Sequence, residues 1–421
     1  MRRLRPTVRL RSAGTQSGVV LPHGTPGPGE QLLSAPGRGE LSAGVERVGN
    51  DLLHPLQSRL LGFTRAGPDG YDVQETGDVK MCVIAGYAGS RLAAPVVIEM
   101  IERQEGLAGG FYAGVAAVEA GSLHWSKVVG TVADLRKTAD AETLPGCVGI
   151  AHSRSKSGGD EEWAHPFVAC FESVAYVANG SAGVWIDHPG RTEIPNRLAR
   201  EGHVFHAVSP RPIGQYPVLD DGRSVHISDV MAHLVEDALK RTGRPEKAIA
   251  TAMVEIPSEV VGLFVSPQHA DAVYGARWNM PACVGMDDDG AYVASSPEGF
   301  PPTVRWWRWI PPCSSFTMSK DRLCMSPMGP ASEAIVDDMD RGQARQAILD
   351  ALSGGEALHV GALLKAVEPL CSAPAPNVRY DAVYDVLHAL MRSGQICREV
   401  KRVPGAAEGI DGIRFLHRLK E

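Results

Sequence analysis

Cys82, directly after Met81, is the residue whose position says most about chemistry. A thiol is a weak nucleophile until a base takes its proton, and an amine on the same residue can act as that base. The ordinary amine pKa of about 8 leaves part of it neutral near neutral pH. The arrangement works once Cys82 becomes the first residue, and methionine removal achieves this when the following side chain is as small as cysteine. The other cysteines, at positions 147, 170, 283, 313, 324, 371 and 397, form no C-x-x-C pair. That spacing suits neither a zinc centre nor a disulfide framework, so no metal is expected and reduced thiols are. Most of them, including Cys170 within Phe-Val-Ala-Cys-Phe, read as inert core residues.

Three further motifs supply what such a nucleophile needs. Gly149-Ile150-Ala151-His152-Ser153-Arg154 is a buried strand running into a polar loop with an arginine at its mouth. The Arg154 guanidinium is a rigid fork suited to a carboxylate, and Ser157 offers a hydroxyl donor beside it. Val177-Ala178-Asn179-Gly180 is a strand ending in Asn-Gly. The Asn179 amide and the Gly180 backbone N–H can point at one oxygen, as an oxyanion hole requires. Ser228-Asp229 reads as the start of a helix, with Ser228 as N-cap and Asp229 in the first turn, a carboxylate suited to a ligand ammonium group. Each motif alone is weak. Together they form the inventory for cleaving an amino-acid amide.

The order Cys82-Val-Ile-Ala-Gly, Gly149-Ile-Ala-His-Ser-Arg154, Ala164-His-Pro, Asn179-Gly180, Ser228-Asp229-Val230 and Ala276-Arg277-Trp-Asn-Met-Pro281 resembles the class II glutamine amidotransferases. The likeness is to the glutaminase domain of glucosamine-6-phosphate synthase, over roughly Cys82 to Pro301. It implies an α+β fold, a four-layer α/β/β/α N-terminal-nucleophile hydrolase sandwich. By the same resemblance, Cys82 attacks the side-chain amide of glutamine while Asn179 and Gly180 stabilise the oxyanion. Arg154 and Ser157 then hold the α-carboxylate, Asp229 holds the α-amino group, and a glutamyl thioester is hydrolysed without a cofactor. Val83, Ser155, Gly158 and Ala178 stand where the family has other residues. The sugar-isomerase domains of the synthase do not fit into the residues after Pro302. A separate acceptor or sugar-isomerase subunit is therefore the expected destination of the ammonia.

These residues must be carried by strands and helices, and the hydropathy pattern supplies them. Strands are expected at 82–87, 114–119, 148–151, 174–178, 260–265, 272–276 and 292–294, and a helix at 96–104. Residues 1–80 are rich in Gly, Pro, Ser and Arg without sustained periodicity, and read as a disordered extension, a propeptide, or sequence ahead of a true start at Met81. The amidotransferase-type domain spans 82–302, and 303–342 reads as a connector. Residues 343–421 predict three helices and a two-stranded ribbon, a winged-helix-like domain in which Val383, Val386, Leu387 and Leu390 share one apolar face.

Composition narrows the alternatives. A chain that is 44% hydrophobic and 22% charged builds ordinary cores. The net charge of −7 argues against nucleic acid as the main partner. From Arg341 onward there are eleven Lys/Arg against nine Asp/Glu, so DNA is only weakly supported and protein docking is preferred. No apolar run reaches the roughly 18 residues of a membrane span, and a cytoplasmic location is expected. The competing readings are an amino-acid-sensing protein with a glutaminase-like pocket, and hydrolysis of a different amide.

Overall fold

The computed structural model describes residues 31–33, 81–138, 140–156, 158–328, 339–371 and 379–420. The expected extension over 1–80 therefore lies outside the described residues except for Gln31–Leu33, and so does Ser157. In chain order, β1 (Val83–Gly89) leads into α1 (Ala93–Gln104), followed by β2 (Tyr112–Glu119), β3 (Ser122–Val129) and β4 (Val148–Arg154). Next come β5 (Phe167–Val168), β6 (Ala175–Ser181), α2 (Ile227–Thr242), α3 (Pro245–Glu255) and β7 (Glu259–Val265). The strands β8 (Ala272–Arg277), β9 (Cys283–Asp287), β10 (Gly290–Ala294), β11 (Trp306–Trp309), β12 (Ser314–Ser319) and β13 (Arg322–Pro327) complete this part.

These strands form two antiparallel sheets. The first has the order β11-β9-β10-β1-β4-β2-β3; the second runs from the Gln31–Leu33 strand through β13-β12-β8-β7-β6 to β5. Their inner faces meet through Ile84, Ala88 and Ile150 on one side and Val177, Leu263 and Val273 on the other. Each of the Ile, Val and Leu side chains among them contributes about 1.5–3 kcal/mol when taken out of water. Helix α1 covers the outer face of the first sheet, where Val97, Ile98 and Ile101 pack with Ala85, Tyr87 and Val115. Helices α2 and α3 cover the second, with Val230, Leu234, Ile249 and Met253 against Tyr176, Phe264 and Tyr274. The result is four layers, helix–sheet–sheet–helix.

Three local expectations are corrected. The N-cap of α2 is His226, not Ser228: the His226 ring Nδ1 accepts from the Ser228 amide at 3.1 Å, so Ser228 is already inside the helix. Strand β3 and helix α3 were not anticipated, β3 because half its residues are polar. The stretch read as a connector, 303–342, contributes β11 to one sheet and β12 and β13 to the other. Its Pro, Cys, Ser and Met content hid short strands with little alternation of their own, β12 and β13 pairing as a hairpin and β11 pairing with β9.

The remaining elements are α4 (Arg341–Leu352), α5 (Val360–Val367), α6 (Arg379–Arg392) and a ribbon of β14 (Ile396–Pro404) and β15 (Asp411–Leu419). Asp340 caps α4, accepting from Gly342 N at 2.7 Å and Gln343 N at 3.0 Å. Val383, Val386, Leu387 and Leu390 of α6 are all buried, in an apolar cluster continuous with the inter-sheet core. Asp381, also on α6, accepts from Arg277 Nη2 at 2.7 Å, with both side chains almost completely removed from water. Asp385 accepts from Trp309 Nε1 at 2.9 Å. The ribbon reaches further, donating from Phe415 N to Gly106 O at 2.7 Å and from Ile413 N to Gly110 O at 3.1 Å. Gly110 has φ of +89°, and a Cβ there would lie 2.5 Å from Ile413 O, so only glycine admits this contact.

Removing one partner of a buried ion pair leaves the other charge uncompensated. Arg277→Ala is expected to lower the unfolding free energy by about 3–5 kcal/mol, measured by urea denaturation, whereas Arg277→Met with Asp381→Leu recovers most of that loss. A single variant as stable as the wild type would contradict this assignment.

Candidate active site

Cys82 lies at the start of β1, where the first sheet's central strand meets the end of β6 in the second. Its backbone N–H donates to Asn179 Oδ1 at 3.0 Å, a hydrogen bond between the two sheets. Asn179 is completely buried, and its Nδ2 has no hydrogen-bond partner among the described residues. A buried amide donor left unmade costs about 1–3 kcal/mol, which a ligand oxygen would recover. Gly180 follows with φ of +135°, and a Cβ there would sit 2.1 Å from Glu259 O. The backbone beside Asn179 is thus locked between β6 and β7 in a conformation reserved for glycine.

The thiol is held from the other side by β4. Ser155 N donates to Cys82 Sγ at 3.4 Å, and Ser155 Oγ lies 3.8 Å from it. Burial pushes the Cys82 thiol up from its ordinary value, partly opposed by the Ser155 amide and the Arg154 charge. Upstream, Met81 is buried, and its carbonyl accepts from Gly109 N at 2.8 Å. While Met81 is attached, the Cys82 nitrogen is a peptide group and not an amine.

Arg154 ends β4 with its guanidinium 4.7 Å over the Tyr112 ring. It donates to Gly158 O at 2.9 Å and to the Tyr216 hydroxyl at 3.2 Å, and no carboxylate among the described residues pairs with it. A delocalised cation held by neutral acceptors and a ring face keeps its charge for an incoming anion. Beneath lies a floor of aromatic rings. His152 and His165 stack at 3.8 Å, and His226 faces Phe167 at 4.7 Å and Tyr216 at 4.8 Å. Burial holds His152 down to about 3, and His165 and His226 well below the ordinary imidazole value, so all three are neutral near pH 7.

The structure therefore gathers Cys82, Asn179, Gly180 and Arg154, and it sets Asp229 deeper. Asp229 is 1% exposed. Its Oδ2 accepts from His206 N at 2.7 Å and Ala207 N at 2.8 Å, and its Oδ1 lies 3.4 Å from His233 Nε2. Ser155, Tyr112 and Tyr216 escaped sequence reasoning. Ser155 acts through its backbone amide, which side-chain type does not reveal, and Tyr216 is 62 residues from Arg154.

Glu105 supports the loop that carries Gly109. It is buried, and it accepts from Val132 N at 2.9 Å and from Ser153 Oγ at 3.4 Å. Ser153 Oγ in turn accepts from Gly110 N at 2.8 Å. Burial pushes the Glu105 carboxyl up to about 8.

An α/β/β/α sandwich with cysteine, asparagine and arginine where its sheets meet is the arrangement implied by the class II glutamine amidotransferase resemblance. Relatedness points the same way. The chain is 28% identical over 222 residues to glutamine–fructose-6-phosphate aminotransferase (isomerizing) of Pyrococcus horikoshii, covering 52% of this chain and 33% of that protein. With the Bradyrhizobium diazoefficiens protein of the same name it is 28% identical over 217 residues, 51% of this chain and 31% of that one. Over about half its length the chain is thus a homologue of these aminotransferases, and it spans about a third of theirs. No family model matches. Among solved structures, the glutamine phosphoribosylpyrophosphate amidotransferase from B. subtilis has a TM-score of 0.48 at 16% identity, over 68% of this chain and 64% of that one. A glutamine aminotransferase class-II domain protein from Silicibacter pomeroyi has a TM-score of 0.38 at 18% identity, over 59% of this chain and all of that one.

Two outcomes follow. Asp229→Ala strips the acceptor from two backbone amides, so it is expected to cost about 1–3 kcal/mol of stability in thermal unfolding, and an unchanged Tm would contradict that role. Glu105 has a folded pKa above its unfolded one, so its contribution is complete below about 4.5 and is lost as pH rises through about 8. Glu105→Gln should therefore gain stability relative to wild type between pH 5 and pH 8 in urea titrations; a constant difference would contradict the shift.

Proposed function

We propose that this protein hydrolyses glutamine to glutamate and ammonia at Cys82, and that the ammonia passes to an acceptor on a separate chain. The observation that carries the reading is the Cys82 N–H bonded to Asn179 Oδ1 while the buried Asn179 Nδ2 has no partner among the described residues. That geometry ties the nucleophile to a donor aimed at developing charge.

In this reading the Cys82 thiolate attacks the carboxamide carbon of glutamine. Asn179 Nδ2 and the Gly180 N–H take the oxyanion, and the free α-amine of Cys82 carries the proton from sulfur to the departing ammonia. Water then cleaves the glutamyl thioester. Arg154 and Ser157 bind the α-carboxylate. Asp229 can meet the α-amino group only through Oδ1, since Oδ2 is taken by two amides. The reaction requires residues 1–81 to be absent, because the Met81–Cys82 peptide bond removes the amine that serves as base.

The C-terminal helices and ribbon fit protein docking better than DNA binding. Of α6, only Ala389 and Arg392 are exposed, so its surface is committed to the rest of the chain and cannot enter a groove. The ribbon's bonds to Gly106 and Gly110 tie this module to the loop whose Gly109 N–H donates to the Met81 carbonyl, which supports a coupling between the two.

The test is a glutaminase assay with intact-mass analysis of the same sample. Chains beginning at Cys82 should release glutamate. Cys82→Ala should release none above background, and Asn179→Ala should lower kcat about 10²–10³-fold. Full glutamate release by chains that retain Met81 would overturn the mechanism.

A further inference from the structure

Away from Cys82, four side chains from three segments converge on the outer helix layer. Cys170 lies in the turn between β5 and β6, His203 follows the helix Gly190–Arg200, and His233 and Glu236 are one turn apart on α2. One ligand atom from each, a sulfur, two imidazole nitrogens and a carboxylate oxygen, lies within 4.8 Å of every other. Cys170 Sγ is 3.5 Å from His233 Nδ1, the two Nδ1 atoms are 3.1 Å apart, and His203 Nδ1 is 3.7 Å from Glu236 Oε2. A tetrahedral zinc with Zn–N of about 2.0–2.1 Å and Zn–S of about 2.3 Å sets its ligand atoms about 3.3–3.6 Å apart. These three edges, of 3.5, 3.1 and 3.7 Å, are close to that figure, and the other three are within 4.8 Å.

We propose that Cys170, His203, His233 and Glu236 bind one divalent transition-metal ion, zinc by the match of ligand types and spacing. The outer contacts favour this over a chance cluster. His233 Nε2 lies 3.4 Å from Asp229 Oδ1 without a hydrogen bond between them, and Nδ1 is the ring nitrogen turned toward Cys170 and His203. Val204 N donates to Cys170 Sγ at 3.3 Å, which holds the sulfur in place beside the two rings. Ser173 Oγ donates to Glu236 Oε1, while Oε2 lies 3.2 Å from Lys240 Nζ and 3.7 Å from His203 Nδ1, on the cluster side. Two nitrogens facing each other inside a protein need either a shared proton or a common cation, and a sulfur and a carboxylate beside them favour the cation.

Four protein ligands leave no open position, so the ion is structural. It clips the β5–β6 turn and the segment at His203 to α2, next to the His206 and Ala207 amides held by Asp229. The pairwise spacing of cysteines gave no sign of this site, because its ligands come from four separate sequence positions and only one is cysteine. Cys170, read as an inert core thiol, is instead one of the four.

The test uses the full chain without a histidine tag. After dialysis against metal-free buffer, elemental analysis should find about one zinc per chain, and Cys170→Ser and His203→Ala should each weaken binding 10-fold or more. Stripping zinc should lower Tm by at least about 5 °C, and adding zinc should restore it. Cobalt(II) added to stripped protein gives a tetrahedral visible spectrum with a thiolate charge-transfer band, and Cys170→Ser loses that band while keeping the wild-type circular dichroism. Wild type that takes up neither zinc nor cobalt, or variants that retain full metal content, would overturn the proposal. Neither result bears on glutamine hydrolysis.

Discussion

The hydrogen bond from the Cys82 backbone nitrogen to Asn179 Oδ1 is the contact on which the site depends. It joins the first residues of β1 in one sheet to the last residues of β6 in the other, across the apolar layer between them. A bond of this kind is worth only about 0.5–1.5 kcal/mol to stability. Its importance is positional. It fixes the thiol against the Ser155 amide and leaves the second half of the Asn179 amide buried and free to donate. The packing of Ile84, Ile150, Val177 and Leu263 holds the sheets in the register that makes the bond possible.

Around that bond the chain arranges two supports of different chemistry. On one side, neutral aromatic rings and the buried Arg154 form a dry, positively charged wall. On the other, the glycine loop 106–110 clasps Met81 and is itself clasped by β15. The buried Arg277–Asp381 pair then anchors the C-terminal helices to the edge of the sandwich. The module that follows the sandwich in sequence is thus part of the same packed body and reaches the loop nearest the nucleophile.

Much of this was legible in the sequence. Apolar runs ending in glycine gave the central strands, the i, i+3, i+4, i+7 stripe gave α6, and Cys82, Arg154, Asn179 and Gly180 were singled out by residue type. What escaped was set by distant partners. Strands β11–β13 looked like a connector because short, Pro- and Ser-rich strands carry little periodicity of their own. The helix cap fell on His226 because an imidazole nitrogen can accept an amide as a hydroxyl does, a choice that propensity does not favour. Asp229 carried the right charge at a helix start, yet its depth and its two amide partners follow from the loop folded over it.

The central claim is that Cys82 is the nucleophile of a glutamine site. Its most direct test is labelling with a diazoketone analogue of glutamine, 6-diazo-5-oxo-L-norleucine, followed by peptide mass mapping of all eight cysteines. The account predicts a single adduct, on Cys82 as the first residue of the chain, prevented by excess glutamine. An adduct on another cysteine, or none on chains that begin at Cys82, would contradict it.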